Sequence, residues 1–141
     1  MTCIFCKLVA GVSPCDQLYE DDLVLAFLDI APINPGHTLV IPKDHHHSIT
    51  TVPEAVLGRM MSVANRLGPA LVRVTEGDGF NYHLANGDAA GQTVNHAHLH
   101  VIPRFGTDGF AWGWRSLPFA DSAARETLIC GVRKRLERRA T

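Results

Sequence analysis

The sequence predicts an α+β fold, one five-stranded antiparallel sheet with helices packed outside it. Three observations lead there. Five short runs rich in strand formers fall into a group of three and a group of two, joined mostly by hairpin-like connections and not by long crossovers. A long segment whose apolar residues recur at helical spacing separates the two groups, and shorter helical segments open and close the chain. The length of 141 residues suits a single domain, which at this size buries roughly 68–70% of its unfolded surface without crosslinks.

The first helix falls on "CIFCKLVAG" (3–11), where Ile4, Phe5 and Leu8 share a side and Gly11 stops the run. "QLYED" (17–21) and "LVLAFLDI" (23–30) are the first two strands, with Asp21-Asp22 as the turn between them. "APINPG" (31–36) is a loop by its prolines and glycine, and "HTLVIP" (37–42) is the third strand, ended by Pro42. From Pro53 to Val74, Val56, Met60, Ala64, Leu67, Leu71 and Val74 follow a helical period. Thr51 is the expected N-cap, and Pro53 suits the first turn. Gly68-Pro69 inside this run predicts a kink or a split, because proline cannot donate to the helical ladder.

"GFNYHLAN" (79–86) is the fourth strand, "NGDAAGQ" (86–92) a glycine-rich loop and "HAHLHVIPR" (96–104) the fifth strand. "GTDGFAWGWRSLP" (106–118) is irregular. A last helix over 121–139 carries Leu128, Ile129, Val132 and Leu136 on one face, and its Lys/Arg-rich end complements the helix dipole. There is no internal repeat and no low-complexity segment.

Apolar content of 46% and charged content of 19% fit a soluble globular protein. A net charge of −1 offers no electrostatic basis for binding nucleic acid or a membrane surface. No run approaches the ~20 apolar residues of a membrane span. The N-terminal residues lack the charged and apolar regions of a secretory signal, so a cytoplasmic setting is expected. There, the Cys3-x-x-Cys6 pair reads as metal-binding or redox sooner than as a disulfide. Cys15 and Cys130 are expected to be buried thiols.

Eight histidines are unevenly spread, with one group at His45, His46 and His47 and another at His96, His98 and His100. In "NHAHLHVIP" (95–103) the alternation has the strand period, which puts the three imidazoles on one face, each roughly 6.6 Å from the next. Ala97, Leu99 and Val101 take the other face, toward the core. Two tasks fit such a row: holding a metal, or chemistry by one imidazole that its neighbours orient. The row alone does not choose between them. Just upstream, "NGDAAGQTVN" (86–95) supplies glycines that let backbone N–H groups approach an anion. Gln92 and Thr93 add donors, and donors beside imidazoles suit a phosphate.

"GQTVNHAHLHVIPR" resembles the signature of the histidine triad (HIT) family, three histidines alternating with apolar residues after Gly-Gln-(Ser/Thr)-Val. Ala97, Leu99, Val101 and Ile102 satisfy its apolar positions. "CIFCKLVAG", "YEDDLVLAFLDIAPINPGHTLVIPKDH" and "IPRFGTDGF" are similar to bacterial members, in the family's order. The resemblance covers residues 3 to about 110. It implies one HIT domain over 1–141, with a C-terminal loop and helix from Ala111 onward that the motifs do not reach.

The resemblance implies a nucleotide hydrolase acting at the α-phosphate, with the sheets of two chains joined in a homodimer. Pairing would also cover an otherwise free sheet edge. His98 would be the nucleophile, forming a nucleotidyl-imidazole that water then cleaves. A neutral imidazole, with a reference pKa near 6.5, keeps one free lone pair at neutral pH. A bond from its other nitrogen to the His96 carbonyl would hold that tautomer. By the same resemblance, His100 and His37 contact phosphate, Gln92 stands at the leaving-group oxygen and Thr93 binds phosphate. Asp29 takes the ribose hydroxyls, Asn86 lies near phosphate and ribose, and Ile4, Phe5, Leu8 and Phe27 sandwich a purine base. Bacterial members also imply a structural zinc on Cys3, Cys6, His45 and His96, with His46 and His47 as competing ligands beside His45. Trp112 and Trp114 either cover a hydrophobic edge or line the leaving-group side across a dimer.

Other readings stay open at this point. One is a dinucleoside polyphosphate hydrolase, and another a nucleotidylyltransferase, although Gln92 favours the hydrolase branch. A nucleotide-binding regulatory module with little turnover is a third. A zinc metallohydrolase with the triad as ligands is a fourth, and it would need an open coordination position.

Overall fold

The computed structural model describes residues 3–113 and 115–137. Contacts divide the chain into two units, with the boundary after Phe110. In the first unit, helix α1 (Ile4–Val9) precedes strands β1 (Gln17–Glu20), β2 (Val24–Leu28) and β3 (Thr38–Pro42). Helix α2 (Glu54–Thr75) follows, then β4 (Gly79–His83) and β5 (Leu99–Arg104). The strands form one sheet in the order β1-β2-β3-β5-β4, antiparallel throughout, so the expected class holds. β5 pairs with β3 on one side and β4 on the other, which puts His100 of the triad inside the sheet.

The runs "VLAFL" and "TLVIP" do not alternate because β2 and β3 are covered on both faces. On one face Val24, Ala26, Val40, Leu99 and Val101, with Ala97, pack against Met60, Val63 and Ala64 of α2. On the other, Leu25, Phe27, Leu39 and Ile41 pack against Phe5 of α1. Burying each such side chain stabilises the fold by about 1.5–3 kcal/mol. The β1–β2 turn is held by Asp21, whose Oδ1 accepts from the Leu23 N–H (2.8 Å) and the Val24 N–H (3.0 Å). Arg59 of α2 donates to Asp21 Oδ2 (2.6 Å), tying the hairpin to the helix.

Helix α2 departs from expectation at three points. It runs unbroken through Pro69 and does not split. One missing N–H removes a single ladder bond, and the packed residues Met60, Val63 and Ala64 hold the helix to the sheet. Its cap is Pro53, not Thr51, whose residue ends a short 3-10 turn (Ile49–Thr51) capped by Ser48. Val74 is 82% exposed, and Val63 holds a core place that the spacing assigned elsewhere. Periodicity sets where a side chain points, not what stands opposite it.

Gly68 lets α2 seat on β4. A Cβ built there would lie 2.5 Å from Phe80 Cε2. Alanine would gain up to ~1 kcal/mol in helix propensity but meet an overpacking cost of about 1–3 kcal/mol. Gly68→Ala is therefore expected to lower the urea midpoint, by about 1 kcal/mol of stability. A raised midpoint would mean that the Phe80 ring moves aside freely.

In the second unit, helix α3 (Ser122–Glu137) forms where expected but buries none of its residues. Leu128, Val132 and Leu136 are exposed. Cys130 is exposed on this helix and Cys15 is half-buried, so neither is the buried thiol expected. Trp114 and residues 138–139, assigned above to a substrate-side or edge role and to the helix end, lie outside the described residues. No helix among the described residues is long and apolar enough to cross a membrane.

Candidate active site

The loop between β2 and β3 places His37. The Asp29 N–H donates to the His37 carbonyl (2.9 Å), and the His37 N–H donates to the Asn34 carbonyl (3.0 Å). Asn34 Nδ2 in turn donates to Pro103 O and to Asp108 Oδ2, each at 2.9 Å, anchoring the loop to the end of β5. Gly36 has φ +85°, and a Cβ there would come within 3.1 Å of Thr75 Cγ2. Only glycine suits this point, where the chain turns into β3.

Hydrogen bonds then set the protons on the imidazoles. The Ile33 N–H donates to His37 Nδ1 (3.0 Å), which leaves the His37 proton on Nε2. His37 Nε2 donates to His100 Nδ1 (2.8 Å), so His100 carries its own proton on Nε2. His98 Nδ1 donates to the His96 carbonyl (2.7 Å), which leaves its lone pair on Nε2. His96 Nε2 donates to the Pro42 carbonyl (2.8 Å), which leaves its lone pair on Nδ1. Burial pushes His100 down to about 4, helped by the neighbouring His98 and His37, and burial also lowers His37. Both are neutral at pH 7.

His98 and His100 lie 5.0 Å apart between ring centres and belong to the wall of a cavity of about 480 Å³. Its size is that of a small-molecule site. Ile4, Phe5, Leu8 and Phe27 form apolar wall, and Asp29 and Thr93 add polar groups. Phe5 stands edge-on to Phe27 at 5.5 Å and to His98 at 5.4 Å, linking the apolar wall to the triad. The cavity is also lined by Ser13, Pro14, Cys15 and Asp16, which carry no pattern that would single them out in the sequence. The site thus offers a nitrogen lone pair on His98 and an N–H on His100, beside an apolar slot.

The three triad histidines do not all sit on the paired strand. β5 begins at Leu99, and the residues before it are held by the Ala97 N–H donating to the His46 carbonyl (2.6 Å). His96 and His98 are buried, His96 completely, where Phe5 of α1 covers them, and His100 is half-buried. Two other expected site residues are held by bonds to the protein itself. Gln92 Nε2 donates to the carbonyls of His47 (2.6 Å) and Val94 (3.0 Å), and its Oε1 accepts from the Gly87 N–H (2.8 Å). Its carboxamide braces the glycine-rich loop. Asn86 Oδ1 accepts from the Ser48 hydroxyl (2.9 Å) and the Ile49 N–H (3.0 Å), steadying the segment before α2. Neither is among the residues lining the cavity.

Cys3, Cys6, His45 and His96 converge, one ligand atom from each lying within 4.8 Å of the others. His45 Nδ1 and His96 Nδ1 are 3.3 Å apart, Cys6 Sγ lies 3.3 Å from His45 Nδ1, and both sulfurs lie 3.6 Å from His96 Nδ1. Tetrahedral zinc at its usual bond lengths would hold two nitrogens about 3.3 Å apart and nitrogen and sulfur about 3.6 Å apart. The donor set and its spacing therefore fit one zinc ion. His45, not His46 or His47, faces the cysteines. The bond from His96 Nε2 to Pro42 O turns the lone pair on Nδ1 inward, as a metal-bound histidine requires.

A five-stranded antiparallel sheet, with three alternating histidines of which two line an apolar cavity, defines a histidine triad fold and site. The chain belongs to the HIT family: the family model described as "HIT domain" matches residues 10–107. Over 102 residues it is 45% identical to a protein named adenylylsulfatase HINT3 from Arabidopsis thaliana, covering 72% of this chain and 52% of that one. A protein named adenosine 5'-monophosphoramidase hnt1 from Schizosaccharomyces pombe is 39% identical over 125 residues, 85% of this chain and 88% of that one. A crystal structure of a HIT family protein from Bacillus anthracis matches with a TM-score of 0.86 and 39% identity, over 95% of this chain and 96% of that one. A zinc-bound histidine triad protein from Mycobacterium smegmatis matches with a TM-score of 0.75 and 40% identity, over 89% of both chains.

Proposed function

We propose that this chain is a nucleotide hydrolase that attacks the α-phosphate of nucleoside 5'-phosphate derivatives. One observation carries the reading: the His98 Nδ1–H is committed to the His96 carbonyl, which leaves the Nε2 lone pair of this cavity-wall imidazole for attack. The His98 lone pair forms a bond to phosphorus, and the bond from phosphorus to the leaving group breaks with its electron pair. Water then cleaves the nucleotidyl-imidazole and releases the nucleoside monophosphate. The His100 Nε2–H, its proton placed by His37, donates to the phosphoryl oxygens. Thr93 serves the same phosphate. Ile4, Phe5, Leu8 and Phe27 hold a purine, and Asp29 accepts from the ribose hydroxyls. The relatives named as an adenylylsulfatase and a phosphoramidase support this substrate class.

Zinc on Cys3, Cys6, His45 and His96 would be structural, because four protein ligands leave no open position. Bound there, it would fix His96 and so the carbonyl that orients His98. The functional unit is a homodimer, which would protect the edge strand β4. No nucleic acid or membrane partner enters the reading.

The test is a turnover panel of adenylated and guanylated phosphoramidates, adenylyl sulfate and dinucleoside polyphosphates on purified protein. Release of the monophosphate is expected, with a preference for ribose over 2'-deoxyribose that Asp29→Ala abolishes. Micromolar nucleotide binding without turnover of any member would replace this reading with that of a binding module.

A further inference from the structure

β4 places one more histidine beside the triad. His83 ends that strand and pairs directly across from His100 in the antiparallel register, so both side chains point to the same side of the sheet. Their ring centres are 5.4 Å apart. His37 flanks His100 from the β3 side at 5.1 Å. The residue leading into β3 and the strands β5 and β4 thus carry a row of imidazoles, His37, His100 and His83, with His100 in the middle.

The row has two unlike sides. The cavity wall comes from α1, β2, β3 and the segments joining them, together with the triad segment, and no residue of β4 belongs to it. The strand order puts β4 beyond β5, away from β2 and β3. A phosphorus atom held by His98 and His100, with its nucleoside in the cavity, has its remaining substituent left to project past His100. His83 stands there.

We propose that His83 binds the leaving group and favours leaving groups that depart as anions, such as sulfate, phosphate or carboxylate. The inference rests on the hydrolase reading above. When the His98 lone pair forms its bond to phosphorus, the bond from phosphorus to the leaving oxygen breaks and the electron pair goes to that oxygen. An acid anion departs with this charge and needs no proton, so an imidazole N–H donor beside it is worth most at the transition state. An amine leaving group departs by taking up a proton and carries no such charge.

Two replacements separate donation from support. His83→Phe keeps a ring against His100 and removes the donor, while His83→Gln keeps a donor without the ring. His83→Leu takes the place of the phenylalanine variant if that protein does not fold. With adenylyl sulfate, His83→Phe is expected to lower kcat/KM about tenfold or more, the scale of one hydrogen bond to a charged group. With adenosine phosphoramidate it should stay within about threefold, and His83→Gln should recover much of the sulfate activity. An equal loss on both substrates would mean that His83 only supports His100, and would overturn the proposal. So would wild-type rates on both. A wild-type protein inert toward every substrate would bring down the hydrolase reading and this inference with it. A wild type active on both, whose His83 variants do not discriminate, would bring down this inference alone.

Discussion

His98→Ala is expected to lose roughly 10³-fold or more in turnover, about 4 kcal/mol of transition-state stabilisation. The variant removes the imidazole lone pair that the bond to the His96 carbonyl leaves on Nε2, on a residue of the cavity wall. It leaves in place the apolar wall, Asp29 and the four zinc-binding positions. Nucleotide affinity should therefore change only a few-fold, and zinc content not at all. Rapid quench with labelled substrate distinguishes this role from mere packing. The wild type should carry label on protein during turnover, and His98→Ala should carry none. A variant within tenfold of wild type, or a wild type that turns over steadily without ever carrying label, would refute the nucleophile assignment.

Zinc should be present at about one ion per chain in protein purified without chelator, and Cys3→Ala should lose it. A closed four-ligand site contributes to folding outright. Here it also joins parts of the chain that nothing local connects: Cys3 lies 93 residues from His96, and Cys6 lies 39 from His45. The melting temperature of Cys3→Ala should fall by about 10 °C or more. Turnover per folded molecule should survive, because the proposed attacking nitrogen belongs to His98, outside the ligand set. A metallohydrolase predicts the reverse, with activity abolished in protein that stays folded after zinc removal. Differential scanning calorimetry, metal analysis and the turnover assay on one preparation decide between them. Protein that contains no zinc, with Cys3 and Cys6 disulfide-bonded under reducing purification, would overturn the site.

Much of this was legible in the sequence because it is local. The period of two around His96, His98 and His100, the helical spacing of Val56, Met60 and Ala64, and the Asp21-Asp22 turn each record a backbone preference over a few residues. Those preferences determined by themselves the element order and the antiparallel class, and they marked the histidines and cysteines that the fold brings together. Whatever depended on partners distant in the chain was decided only by the tertiary structure. The motif marks Gln92 but not its protein partners, and its carboxamide bonds to His47, Val94 and Gly87, since a buried amide takes the nearest carbonyls and N–H groups. Pro69 reads as a helix breaker, yet α2 continues through it, because packing against the sheet outweighs one lost ladder bond. Cys15 has no local signal for its place in the cavity wall. His83 is one histidine in a strand until the register of β4 on β5 sets it opposite His100. Register is settled by side chains meeting across strands, and no single strand contains that information.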